Sequence, residues 1–187
     1  MNTSLLIRLT DLTLAFFGLL LLSPLLLIVC VIAYMDTRSP LLLQTRVGRN
    51  LNLFVLVKFR TMYPDTKHVA THQADASAIT PLGKYLRKTK LDELPQLWNV
   101  LMGEMSLVGP RPCLPSQSEL IRCRDELKVF DVRPGITGLA QINHIDMSTP
   151  ELLAETDAKM IQTLTMPNYF GYIFKTVAGN GQGDRVK

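Results

Sequence analysis

The densest polar segment of the 187-residue chain is Arg87-Lys88-Thr89-Lys90-Leu91-Asp92-Glu93-Leu94-Pro95-Gln96. Its pattern predicts a helix over 92–102, with Asp92 and Glu93 in the first turn. Pro95 is tolerated there, because first-turn N–H groups have no helical partner to lose. The exposed amides and the positive dipole end of such a helix favour ionised carboxylates. Neighbours at i and i+1 diverge on a helix, so the two acids would do different work. An ionised carboxylate can attack phosphorus, or it can bind a hard cation such as Mg²⁺, which takes one or two carboxylates plus substrate phosphates. Arg87 and the nearby lysines would neutralise a phosphoryl group under attack. The plainer alternative is an acidic helix cap with no chemistry.

Two further segments carry polar chemistry. Gly103 through Pro112 is a Gly- and Pro-fixed path ending in Arg111, whose guanidinium can hold an oxyanion through two parallel bonds. Arg133-Pro134-Gly135-Ile136-Thr137-Gly138 reads as a turn whose amides could form an anion nest, followed by Leu139-Ala140-Gln141-Ile142-Asn143. A rigid loop and an ordinary turn are the corresponding bland readings.

These segments need positioning elements. Residues 12–34 are 23 residues without a charge. As a helix they would extend about 35 Å, enough for a hydrocarbon core of ~30 Å. The run is too long for the core of a signal peptide, and Ala33-Tyr34-Met35 is a poor cleavage site. Ser23-Pro24 stands mid-run and predicts a kink, with the serine hydroxyl serving a freed carbonyl. By these residues alone, a kinked spanning helix and a re-entrant helix–break–helix are equally favoured. Leu41–Gln44 and 51–59 flank the polar turn 46–50 and predict a β-hairpin. Helices are expected over 81–88, from a capping box at Ser116–Glu119 to about Phe130, from Thr149-Pro150 to about Leu164, and after Pro167. The aromatic cluster Tyr169, Phe170, Tyr172, Phe174 reads as core, with a helix lying in lipid headgroups as its alternative. Residues 63–78 read as a loop and 179–187 as a flexible tail. The expected fold class is mainly α with a small β-hairpin, an N-terminal membrane segment over 1–37 and a compact α/β domain over 38–178.

Composition limits the partners. Hydrophobic residues make up 47% of the chain and charged residues 19%, which excludes a disordered chain. Residues 36–111 hold 11 Lys/Arg against 6 Asp/Glu, and residues 112–187 hold 8 against 9. The cationic half lies next to the apolar run, which suits anionic lipids or a phosphate-rich substrate and orients that side to the cytoplasm. Nucleic acid is not expected, because aromatic residues are not interleaved with the basic ones. Three cysteines without ligand spacing argue against a disulfide framework or a zinc site.

Ser23-Pro24, Lys58-Phe59-Arg60-Thr61-Met62, Leu91–Gln96 with Leu97-Trp98-Asn99-Val100-Leu101, Gly103–Pro112 and Val132–Gly138 with Gln141 occur in one order. Over about residues 12–143 that ordered set resembles the small bacterial sugar transferases, monotopic polyprenyl-phosphate phosphoglycosyl transferases. The resemblance implies transfer of a sugar-1-phosphate from a UDP-sugar to undecaprenyl phosphate, with UMP released, at the cytoplasmic face of the inner membrane. It implies Asp92 as nucleophile and Mg²⁺ contact and Glu93 as base or second acid. Arg87 and Arg111 would grip phosphate, and Lys58, Arg60 and Gln141 would make substrate contacts. It also implies that Ser23 and Pro24 break a re-entrant helix, that the sugar is N-acetylated, and that downstream glycosyltransferases are partners; the basic face near the membrane leaves monomer and homodimer both open. His144-Ile145 depart from the family's usual Gly-Arg, which leaves a membrane-anchored scaffold as the alternative function.

Overall fold

A computed structural model describes residues 3–64, 66 and 76–179. Helix α1 (Thr3–Thr37) leads into the antiparallel pair β1 (Leu41–Val47) and β2 (Leu53–Phe59). Then follow α2 (Pro81–Thr89), α3 (Gln96–Met102), β3 (Ser106–Val108), α4 (Ser118–Glu126), β4 (Gly135–Thr137), α5 (Leu139–Ile142), α6 (Pro150–Thr163) and α7 (Met166–Val177). The fold is helix-dominated with a small hairpin, as expected. Most of the loop expected over 63–78 and all but the first residue of the expected tail lie outside the described residues.

The helix α1 is continuous through Ser23-Pro24, where a break was expected. Pro24 has no N–H to give the Leu20 carbonyl, and the Ser23 hydroxyl donates to that carbonyl instead at 2.8 Å. The local partner keeps the backbone satisfied in apolar surroundings. One stripe of α1 faces the rest of the protein: Asp11, Ala15, Val29, Ala33 and Thr37 are buried. Ala15 packs with Phe54, Leu56, Leu97, Val100 and Met105, whereas Val29 packs with Phe59 and Leu86. Both halves of α1 therefore rest on the same body. The opposite face leaves large apolar side chains in the open from Leu5 to Met35.

The expected hairpin forms, with Leu41 opposite Phe59 and Val47 opposite Leu53. Period-two alternation turns Phe54, Leu56 and Lys58 inward and leaves Leu53 and Val55 exposed. Asn99 on α3 closes the free edge of β2: it accepts from Val57 N–H at 3.0 Å and donates to the Val55 carbonyl at 2.7 Å.

A second, parallel pair joins β3 to β4, with Ser106 opposite Gly135 and Val108 opposite Thr137. The segment expected as a turn is thus partly a strand. Close backbone approach requires its glycines: a Cβ on Gly135 would lie 2.0 Å from the Gly109 nitrogen. The expected capping box also fails. Helix α4 starts two residues later, after Gln117, whose Oε1 accepts from Leu114 N–H at 2.9 Å. It ends at Glu126, and a 3-10 turn over Val129–Asp131 follows. Helices α2, α6 and α7 form where expected, each with proline in its first turn. The aromatic cluster divides: Tyr169 and Tyr172 are core, while Phe170 and Phe174 face outward.

Candidate active site

Asp92 and Glu93 do not open an α-helix. Lys90 adopts the left-handed conformation, φ 57°, and a 3-10 turn follows over Leu91–Glu93. Glu93 N–H bonds the Lys90 carbonyl and Leu94 N–H bonds the Leu91 carbonyl. Pro95 has no N–H with which to extend an α pattern back to Leu91, so α3 begins only at Gln96. The result is a tight turn that buries Asp92 to 6% exposure.

Three elements bring charge to that turn, and a fourth charge stands at its start. Lys58 comes from the inner face of β2 and is itself buried. Arg87 comes from the last turn of α2, its Nε donating to Thr61 Oγ1 at 2.8 Å. Gly83 lets α2 sit on the Thr61 backbone, where any Cβ would lie 2.1 Å from the Thr61 carbonyl oxygen. Arg111 arrives on the loop after β3 and pairs with Glu93 at 2.7 Å. The fourth charge, Lys90, donates from Nζ to the Thr176 carbonyl at 3.2 Å, and Thr176 is hydroxyl-bonded to Thr137 on β4.

The electrostatics differ from the expectation of two acids held ionised by a helix end. Burial pushes Asp92 up to about 6, and the Glu93 charge adds to that; Lys58, Arg87 and Arg111 pull it back. Burial also lowers the Lys90 ammonium, opposed by Glu93 and reinforced by Arg111. The site is a carboxylate held above its ordinary range by burial and ringed by cations.

Among the sequence-derived candidates, Asp92, Glu93, Lys58, Arg87 and Arg111 come together. Arg60 does not join them: its guanidinium donates to the Ser39 carbonyl at 3.0 Å and to Ser39 Oγ at 3.2 Å, tying β2 to the end of α1. Gln141 lies on α5, its Nε2 donating to the Ile136 carbonyl at 3.4 Å. His144 is exposed with φ 59°, a conformation that favours the glycine the resemblance led one to expect there. Ile145 packs against the core around Val47 and Leu153 instead of offering a charge.

Sequence reasoning missed the pair beneath Arg111. Arg124 on α4 and Asp157 on α6 are both 1% exposed, with Arg124 Nη2 2.6 Å and Nε 3.1 Å from the same Asp157 oxygen. Arg124 Nη1 donates to the Arg111 carbonyl at 2.8 Å. A sealed ion pair thus holds the backbone from which the partly buried Arg111 guanidinium projects. The two residues are 33 apart, and nothing local marks either as buried.

Asp92 offers a hard carboxylate oxygen. Among the described residues no group of three or more His, Cys, Asp or Glu side chains converges on a metal position. That donor set fits a cation completed by substrate phosphates rather than one caged by protein alone.

Comparison with known proteins decides the family. The profile of the family described as bacterial sugar transferase matches residues 2–181. The chain belongs to that family. An undecaprenyl-phosphate glucose phosphotransferase of Komagataeibacter xylinus is 44% identical over 145 residues, 73% of this chain and 27% of that protein. A UDP-galactose-lipid carrier transferase of Erwinia amylovora is 35% identical over 175 residues, 84% and 36% of the two chains. A UDP-N-acetylgalactosamine-undecaprenyl-phosphate N-acetylgalactosaminephosphotransferase of Aeromonas hydrophila is 35% identical over 178 residues, 89% and 41%. The chain spans between about a quarter and two-fifths of the length of these relatives.

Proposed function

We propose that this bacterial sugar transferase moves a sugar-1-phosphate from a UDP-sugar to undecaprenyl phosphate, starting a surface glycan on the cytoplasmic face of the inner membrane. The observation that carries the reading is the buried Asp92, with Lys58, Arg87 and Arg111 close enough to lower its pKa. Asp92 Oδ attacks the sugar-bearing phosphorus of the donor. The P–O bond to the uridylyl group breaks and UMP leaves with the electron pair. The acyl phosphate on Asp92 is then attacked by a phosphate oxygen of the lipid, which returns the carboxylate and forms the lipid diphosphate sugar. Dividing one displacement in two and neutralising phosphate charge account for most of the rate.

Glu93 takes a positioning role in this scheme, since its carboxylate is paired with Arg111. Mg²⁺ held by Asp92 and the donor's phosphates would neutralise charge on the diphosphate. Lys58, Arg87 and Arg111 orient the diphosphate and offset the negative charge that collects on it.

The anchor is proposed to enter and leave one leaflet. Support comes from Asp11, near one end of α1, which accepts from Ser106 Oγ, Leu107 N–H and the Tyr169 hydroxyl. Near the other end, Val29 packs on Phe59 and Leu86 of the same body. A cysteine replacing Ser4, in a chain carrying Cys30→Ser, is expected to label only from the cytoplasmic side; labelling from outside means that α1 spans.

The names of the relatives include glucose, galactose and N-acetylgalactosamine, so they lend no weight to an N-acetylated sugar over a plain one. The test is UMP release by the purified chain with Mg²⁺, undecaprenyl phosphate and UDP-sugars of all three kinds. Lipid-dependent release with one donor supports the reading and names the sugar. Silence from folded protein contradicts it.

A further inference from the structure

Three arginines gather at the other end of the molecule's charged surface, outside the Asp92 site. Arg8 of α1 donates from Nη1 to the Met105 carbonyl at 3.3 Å. Arg133, just before β4, donates from Nε to the Gly103 carbonyl at 2.8 Å, two residues away on the same loop. Arg49, in the turn of the hairpin, is exposed, and its guanidinium makes no hydrogen bond or ion pair among the described residues. Arg8 and Arg49 both stand close enough to Arg133 to act on it electrostatically.

No acid among the described residues forms an ion pair with any of the three. Asp11 is nearest, and its Oδ1 already accepts from Ser106, Leu107 and Tyr169. Glu104 is bound through Oε2 to Asn99 at 2.7 Å. Asp131 lies on the turn that packs against the turn of Arg49, yet the two are not paired within 4.0 Å. Asp11 acts on Arg8 and Arg133 but offsets their crowding only in part, so the like charges still repel one another, and an anion with several acceptor oxygens relieves that repulsion. Burial and the two neighbouring guanidinium groups lower the affinity of Arg133 for its proton, the electrostatic mark of the same crowding.

Position selects the kind of anion. Arg8 is the last basic residue before the uncharged run 12–34, and the neighbouring Leu5 and Leu9 on α1 are exposed. A helix entering hydrocarbon from that end sets Arg8 at the depth of lipid phosphates. We propose that Arg8, Arg49 and Arg133 form a non-catalytic site for a phosphate group, supplied by the headgroup of an anionic lipid, which fixes the depth of the domain at the membrane. The site does not depend on the chemistry assigned to Asp92.

The test titrates soluble dihexanoyl phosphatidylglycerol, and separately inorganic phosphate, into the full chain in neutral detergent. Binding is read by ³¹P NMR in the wild type and in Arg49→Gln, Arg133→Gln and Arg122→Gln. Saturable binding of the lipid is expected, weakened about five-fold or more in Arg49→Gln and Arg133→Gln and unchanged in Arg122→Gln. Arg49→Gln keeps the test decisive if Arg133→Gln fails to fold, since the Arg49 side chain holds nothing in place. Lipid binding that millimolar phosphate does not displace assigns the site to the headgroup; displacement by phosphate keeps the site and assigns it to phosphate as such. Binding that does not saturate, that survives Arg49→Gln intact, or that Arg122→Gln weakens equally overturns the proposal.

Discussion

Two acid–arginine pairs meet at one residue, and they are built for opposite ends. Glu93–Arg111 is partly open, its side chains 13% and 20% exposed, beside an Asp92 whose charge is costly. Arg124–Asp157 is sealed at 1% each and grips the Arg111 carbonyl from below. The open pair keeps some contact with solvent; the sealed pair keeps almost none. A buried ion pair contributes little net stability over an apolar replacement, but removing one partner is severe. The difference teaches that the sealed pair sets the geometry, while the open pair stands where the proposed function places the substrate.

The largest effect that could break this division is at Asp92, the proposed nucleophile. Asp92→Asn is expected to cut turnover by about 10³-fold or more with the melting temperature nearly unchanged. Equal turnover would remove Asp92 from the chemistry. Next, Arg111→Lys keeps the charge and loses the planar fork, and is expected to cost about 10²-fold in kcat/KM.

The sealed pair should fail differently. Asp157→Asn leaves Arg124 buried without its counter-charge, at a cost of about 3–5 kcal/mol. At ~2–4 °C per kcal/mol for a chain of this size, that lowers Tm by roughly 6–20 °C. The double variant Arg124→Met, Asp157→Leu should recover most of that Tm while kcat stays low, because nothing then holds the Arg111 carbonyl. Recovery of both would make the pair merely structural.

Much of this arrangement was legible in the sequence. The hairpin showed as two apolar runs about a polar turn, and α2, α6 and α7 showed through prolines in their first turns. Arg87, Asp92, Glu93 and Arg111 were readable because charged residues of useful type stood beside residues that fix the backbone, whereas Lys58 entered only through the family resemblance. What escaped depends on long-range contact. Strands β3 and β4 are three residues each and are specified by the approach of Gly109 to Gly135, not by alternation. Arg124 and Asp157 look like solvated helix residues until α4 and α6 are packed together. The place of Arg60 was not legible for a related reason: its partner Ser39 is 21 residues away, just past α1.

Smaller effects sharpen the electrostatics. With Asp92 raised to about 6, kcat/KM should fall tenfold per pH unit below that value as the nucleophile is protonated. The sign for stability is opposite. The folded state holds this proton more tightly than the unfolded chain, so Asp92 favours folding most below its ordinary value of 3.8 and loses that contribution as pH rises through about 6. Glu93→Gln removes a like charge and should move the acid limb to lower pH; an upward move would contradict the assigned cause. The smallest change expected is Ser23→Ala, which leaves the Leu20 carbonyl without its donor and should cost about 1 kcal/mol in thermal stability.

The most direct test of the central claim is mass spectrometry of the chain mixed with its UDP-sugar in the absence of lipid acceptor, followed by peptide mapping. The account predicts a sugar-phosphate adduct on the peptide that contains Asp92, discharged when undecaprenyl phosphate is added. Active enzyme that carries no adduct, or carries it on a different residue, would contradict it.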